Sequence, residues 1–402
     1  MIRGLKVDRV AGISAQAVNT LGNVALSLLV ARESSAVEYG GWAIAYGIYI
    51  LCLGIFKATV STSLLIDENA GAGGYRRAGS SNVSVALLVG FVGGLVMYLV
   101  SLLTSESVGL PLVLFALLLP GLLLHDALRY VFIKMSKASW TLAIDGLWFV
   151  IQICAFVWLI SINAATMTSL TLAWGVSATV VGLAVCCAAR LRFSFREPIT
   201  FFSRSKGVTT KLLVDSIINT GTVALVPIAV GAVVSIEAAG FYRAGLTLLG
   251  PVGLLIAGLS PFLTVDAVGK LTSFRIAVRM ATKWILGITV ISIPYCLAVT
   301  LIPDSVGEKA MGEVWLGISG YLLAFAVHGS LRGPNVVVPI LLRSAHKLDS
   351  LIRLRVRMTV PHLVLPVAFG AVWGFEGVVW GSVAGVVSAN CQCLLALRLF
   401  RG

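Results

Sequence analysis

Twelve runs of about 20 mainly apolar residues divide this chain of 402 residues. An apolar run of that length is what a helix needs to cross a bilayer, because 1.5 Å of rise per residue must cover about 30 Å of hydrocarbon. The runs fall at roughly 10–31, 41–66, 83–103, 109–133, 140–162, 168–189, 212–234, 242–265, 284–302, 314–341, 353–373 and 378–397. Only 12% of residues are charged, against 58% apolar. A soluble globular protein carries about twice that charge. The expected class is therefore an all-α polytopic membrane protein, embedded in the cytoplasmic membrane.

The net charge of +13 would suggest nucleic acid in a soluble protein. Here it sorts by loop. Of the 30 Lys and Arg, 24 fall in alternate connections and at the ends: Arg76 and Arg77, Lys134 and Lys137, Arg190 to Lys211, Lys270 to Lys283, Arg343 to Arg357, and both termini. The other connections hold Arg32 and Lys309 beside Glu33, Glu38, Glu106, Glu237, Asp304, Glu308, Glu313 and Glu376. Positive residues accumulate on the cytoplasmic side, so both termini are expected there. The basic start, with Arg3, Lys6 and Arg9, lacks a clear cleavage site and reads as an uncleaved first helix. No interleaving of aromatic and basic residues points to nucleic acid. The seven cysteines all lie in apolar runs, which gives neither a disulfide framework nor a metal set. No Walker-type phosphate loop, histidine box or soluble domain is present, so an enzyme is not expected and neither is a cofactor.

The chain reads as two related halves: an N-terminal lobe of six helices over 1–189, a basic linker over 190–211, and a C-terminal lobe of six helices over 212–402. Asn19-Thr20 returns as Asn219-Thr220, and Gly40 as Gly240. Asp67 and Arg76 return as Asp266 and Arg275, and His125-x-x-Leu128-Arg129 as His328-x-x-Leu331-Arg332. The offset stays near 200 residues, which is the signature of a repeat. An even number of helices per half makes the repeat parallel, with a substrate path expected between the lobes. Glycine sets at Gly90, Gly93 and Gly94 and at Gly377, Gly381 and Gly385 are expected to let helices approach closely.

A cation in hydrocarbon is costly and normally faces protein or water, where it works. Lys57 and Arg332 lie ten or more residues from the nearest cytoplasmic loop and are candidate cavity cations. The alternatives are snorkelling or an internal pair for Lys57, and hydrogen bonding to carbonyls freed by Pro334 and Pro339 for Arg332. Arg129 is closer to a loop, with Asp126 at i−3 as a partner. Arg243 opens the eighth helix, as an interfacial anchor or a rim cation. His125 and His328 occupy matching positions, suited to packing or to proton relay. Asp145 and Asp215 stand near helix starts, where simple solvation competes with a role, alongside Asp126, in binding a coupling Na⁺ or H⁺. On this reading the deep charges are basic, which favours an anionic cargo and disfavours export of cationic drugs.

The stretch Ala31-Arg32-Glu33-Ser34-Ser35-Ala36-Val37-Glu38-Tyr39-Gly40-Gly41-Trp42-Ala43 resembles the segment joining the first two helices in Wzx-type polysaccharide flippases. These belong to the multidrug/oligosaccharidyl-lipid/polysaccharide (MOP) exporter superfamily. Arg32, Glu38, Tyr39 and Gly40 match its pattern, and Trp42 takes the aromatic position. Glu237 to Tyr242 resembles the second-half counterpart, and Leu124 to Arg129 the end of the fourth helix. The resemblance implies a MATE-like fold. It also implies a flippase that moves undecaprenyl-pyrophosphate-linked oligosaccharides outward for polysaccharide biosynthesis. A cationic cavity is implied too, with Lys57, Arg129, Arg332 and Arg243 as its candidates. Membrane lipids, a polysaccharide polymerase and glycosyltransferases are the implied partners. The alternatives are a MATE-like drug or metabolite antiporter and an integral-membrane glycan-assembly enzyme.

Overall fold

The computed structural model describes residues 2–57, 75–135, 137–191, 193–194, 208–267, 270–271, 273–345 and 347–400. The end of the expected second span, the loop with Asp67 and most of the basic linker lie outside these residues. Everything described is helix or connection, with no strand among the described residues. The helices are α1 (Ile2–Arg32), α2 (Ala36–Phe56), α3 (Tyr75–Ser101), α4 (Glu106–Lys134), α5 (Ala138–Ser161), α6 (Met167–Ala188) and α7 (Val208–Val233). They continue with α8 (Ile236–Leu248), α9 (Gly250–Ala267), α10 (Phe274–Thr300), α11 (Asp304–Met311), α12 (Glu313–Ile318), α13 (Leu322–Ser330), α14 (Gly333–Ser344) and α15 (Leu348–Ala396).

These helices account for the twelve expected crossings. Nine described stretches are long and apolar enough to span. The pair α8 and α9, bent by 52°, makes another. The 49-residue α15 is two antiparallel limbs, because Trp373 and Gly374 leave helical geometry and Gly374 has φ +63°. The last crossing is the apolar part of α7. One span is assembled from pieces: α12, a single 3-10 turn, α13 and α14 share the stretch from Glu313 to Ser344.

The chain divides into two compact units. The first comprises residues 1–34 and 45–217; the second comprises 35–44 and 218–402. The opening turns of α2 thus pack with the second unit. In the first unit the core is aromatic: Tyr49 stacks on Phe115 at 5.6 Å, and Trp174 meets both edgewise. In the second, one apolar cluster joins α10, α14 and both limbs of α15 around Trp284, Leu341 and Met358.

Helices here are held by close approach, as lipid supplies no hydrophobic force between them. A Cβ on Gly90 would stand 2.5 Å from Pro120 Cα, and one on Gly94 would stand 2.5 Å from the Ala116 carbonyl. The limbs of α15 repeat the device. Cβ atoms on Gly377, Gly381 and Gly385 would meet the carbonyls of Phe369, Leu365 and Pro361 at 2.0, 2.4 and 3.0 Å.

The motif region follows the same logic. Glu38 accepts from the Ser35 amide and hydroxyl at 2.9 Å, while Ser35 Oγ accepts from the Glu38 amide, a reciprocal cap for α2. Ser235 caps α8 by accepting from the Ala238 amide. Within the second unit Gly40 and Gly240 cross backbone to backbone. A Cβ on Gly40 would lie 2.0 Å from the Ile236 carbonyl oxygen, and one on Gly240 would lie 2.9 Å from the Gly40 nitrogen.

Gly40→Ala is expected to destabilise the purified protein by about 1–3 kcal/mol, because backbone rather than a side-chain tip must yield. Gly287→Ala, where nothing lies within 4 Å, is expected to be neutral or slightly stabilising. Thermal unfolding in detergent checks the pair.

Candidate functional site: two charged clusters

The candidate residues gather into two clusters, one in each unit, with different charge balance. The first is built on α4, where His125, Asp126 and Arg129 share neighbouring turns. Arg129 is the hub. Its Nε donates to Asp145 Oδ2 at 3.0 Å, its Nη1 to Asp126 Oδ1 at 3.2 Å, and its Nη2 to Gln16 Oε1 at 3.2 Å. Lys57 Nζ, just past the end of α2, reaches the same Asp126 Oδ1 at 3.0 Å. His125 Nε2 lies 3.9 Å from Asp145 Oδ1, and its ring packs on Trp148 with centroids 4.9 Å apart.

The expected i−3 pair of Asp126 with Arg129 is present. Two other expectations change. Asp145 and Asp215, for which proximity to loops suggested solvation, are buried, Asp145 completely. The deep charges are not only basic: in the first cluster two carboxylates face two cations. Asp145 stands only a few residues from a loop in sequence, but α5 packs against α1 and α4, which turn that position inward. Lys57 and Arg129 differ in how firmly they are held. The Lys57 side chain keeps 32% of its surface exposed, whereas Arg129 keeps 7% and makes three contacts.

Buried ion pairs repay their desolvation only when nearly every polar atom is used. Here three atoms are unused: His125 Nε2, Asp145 Oδ1 and Asp126 Oδ2 have no hydrogen-bond partner. The first two are the pair 3.9 Å apart.

The second cluster surrounds Arg332. The α13–α14 break falls at Leu331–Arg332, and Pro334 occupies the first turn of α14. The expected loosening of backbone by Pro334 is therefore seen, and Asn390 Nδ2 takes up the Leu331 carbonyl at 2.8 Å. Arg332 is half-buried and makes no salt bridge among the described residues. The Tyr242 hydroxyl and the Cys296 thiol lie within electrostatic range of it. His328 and His362 lie within electrostatic range of it, and His328 Nδ1 is buried without a hydrogen-bond partner. Arg243, one residue past Tyr242, is half-buried.

Sequence reasoning missed Gln16, Trp148, Tyr242 and His362. Gln16 and His362 were polar residues inside apolar runs, which was a usable signal. Trp148 and Tyr242 carried none, since aromatic residues are ordinary in spans.

Compared by sequence, the chain matches no protein-family profile and no curated protein. Compared by structure, it is similar to an inward-facing multidrug resistance MATE transporter of the MOP superfamily. That match has a TM-score of 0.69 at 14% identity, covering 96% of this chain and 97% of that one. The chain has the fold of the MOP transporters. It is equally similar to the lipid II flippase MurJ in an inward closed conformation: TM-score 0.69, 12% identity, 98% of this chain and 87% of MurJ. A MOP transporter from Pyrococcus furiosus, described by the reverse polarity of its binding pocket, matches with a TM-score of 0.61 at 15% identity, over 96% of this chain and 93% of that one. At such identities the likeness concerns the fold, and this is a multi-pass membrane protein of that fold.

The hub geometry sets an order of stabilities. Asp145→Asn leaves the buried Arg129 short of a counter-charge and is expected to cost about 3–5 kcal/mol. Lys57→Gln removes a partly exposed partner and should cost far less. In thermal unfolding, Asp145→Asn combined with Arg129→Gln should be less damaging than the summed single effects.

Proposed function

We propose that this protein is a flippase that moves a lipid-linked oligosaccharide, of the undecaprenyl-pyrophosphate type, across the cytoplasmic membrane by alternating access. Arg332 carries the reading: a half-buried cation at a helix break, with no carboxylate paired to it among the described residues. Placing an arginine mid-span costs about 2.5–3.5 kcal/mol on insertion scales. A diphosphate returns that cost, since a guanidinium matches phosphate oxygens in a bidentate fork. The sugar needs a wet polar path, while the polyprenyl tail stays in the bilayer. No bond is made or broken.

The first cluster supports the reading in another way. Its formal charges cancel, so Asp126 and Asp145 offer no spare negative charge to a cationic drug. Lys57, the more exposed partner, is the cation able to leave Asp126 for an arriving anion. Its departure leaves a net negative cluster beside His125, where a coupling H⁺ or Na⁺ would be taken up. The cargo's diphosphate and the coupling cation are thereby linked through Asp126.

The buried carboxylates also favour a second reading, a cation-coupled drug or metabolite antiporter of the same fold. The two are separated in cells whose surface glycan depends on this protein. Arg332→Ala is expected to lower surface glycan about tenfold or more at equal protein level, the loss of one charged hydrogen bond to the diphosphate, with partial recovery for Arg332→Lys. Resistance to cationic drugs should not change. Normal glycan in Arg332→Ala, or drug resistance that follows expression of the protein, would sink the flippase assignment.

A further inference from the structure

A groove of about 840 Å³ lies between the two limbs of α15, far from both clusters in its makeup. Its walls follow from the glycine seam. Gly377, Gly381 and Gly385 hold the limbs backbone to backbone as far as Pro361. Beyond Gly385 the facing positions of the second limb are Ser388, Gln392, Leu395 and Leu399, all bulkier than glycine, and the limbs part. On the first limb Arg353, Arg357, Val360 and Val364 line the opening. Their spacings of four, three and four residues put them on one helix face, and all four are exposed. Arg398, just past the end of the second limb, joins from the opposite wall.

The groove is thus graded along its length. One end has three guanidinium groups, none of which makes a salt bridge among the described residues; Arg353 donates to Ser350 Oγ at 3.1 Å. The other end is valine and leucine. From Arg357 to Val364 is about 10 Å along the helix. Gln392 Oε1 is buried on the floor with no hydrogen-bond partner. The size falls within the range of about 300–1,000 Å³ typical of ligand sites.

We infer that this groove is a binding site for an anionic phospholipid of the membrane, with its phosphate on Arg353, Arg357 and Arg398 and an acyl chain along Val360, Val364 and Leu365. A cationic head joined to an apolar trough matches a molecule with a phosphate joined to an alkyl chain, and little else. The charge pattern puts the arginine end at the cytoplasmic leaflet, where anionic lipids collect and basic pockets between helices hold their headgroups. A zwitterionic lipid offers the same phosphate but brings its own cation to the three arginines. The lipid would fill the gap that the glycine seam leaves and fasten the ends of the last two crossings.

The test is native mass spectrometry of the delipidated full-length protein with added phosphatidylglycerol, phosphatidylethanolamine or undecaprenyl phosphate. Phosphatidylglycerol should be retained at least tenfold more than phosphatidylethanolamine. Arg353→Gln, Arg357→Gln and Arg398→Gln together should abolish that preference, while Arg275→Gln with Arg279→Gln, basic positions outside the groove, should keep it. Val364→Trp, which fills the trough and leaves every arginine, should also weaken retention and covers the case in which the triple variant does not fold. Equal retention of the two phospholipids overturns the proposal, as does full retention by the triple variant or by Val364→Trp. Displacement of phosphatidylglycerol by equimolar undecaprenyl phosphate would assign the groove to the carrier lipid and likewise overturn it. The readout is independent of transport, so the flippase reading stands or falls separately.

Discussion

Charge in hydrocarbon must be cancelled or solvated, or else it is costly, and the two units of this protein handle it differently. In the first unit it cancels: Arg129 and Lys57 meet Asp126 and Asp145 at 3.0–3.2 Å. In the second, Arg332 sits at a helix break and has no salt bridge among the described residues. Since both sites occur at matching places in a repeated sequence, the difference between them is the informative quantity. A fold built from two similar halves can thus hold sites of different charge balance at matching places.

The asymmetry has a local origin. The repeat His-x-x-Leu-Arg places a histidine and an arginine alike in both halves. In the first half the residue after histidine is Asp126; in the second it is Gly329. Asp145 supplies the second carboxylate from α5, the fifth crossing of its half, whereas the fifth crossing of the second half, the first limb of α15, has no acid among its buried residues. The missing carboxylates thus leave Arg332 without the balanced network that Arg129 has, among the described residues. Pro334 compounds the change by breaking the helix at Arg332, so that polar backbone surrounds a charge that α4 keeps on an intact helix.

Much of the fold was legible in the sequence, because the bilayer imposes length and polarity on every crossing. Twelve apolar runs became twelve crossings, and the glycine sets in α3 and α15 became close contacts. Some helix breaks were legible too: Pro334 announced one, and the reversal of α15 at Trp373-Gly374 falls at the expected gap between the last two runs, beside Glu376. The site was half legible. Arg129, Asp126 and Arg332 stood out because charge is rare in such runs. Which of the candidates meet across helices did not, since pairing depends on rotation about each axis. Hydropathy does not encode that rotation when a helix is apolar all round. Asp145 shows the limit, as nearness to a loop in sequence did not prevent complete burial.

The motif around Gly40 changes its meaning once its contacts are known. Arg32, Glu38, Tyr39 and Gly40 carried the resemblance to a transporter family, which invites a role in binding cargo. Instead Glu38 closes a helix cap, Tyr39 stacks on Trp42 at 5.6 Å, and Gly40 crosses Gly240. These are packing roles, and they sit where the start of α2 is held by the second unit. A segment whose two ends belong to different compact units is the part of such a chain most constrained in shape, because it must satisfy both at once. The motif residues of this stretch thus mark a place where backbone meets backbone, whereas Arg332 lies outside it, at a helix break.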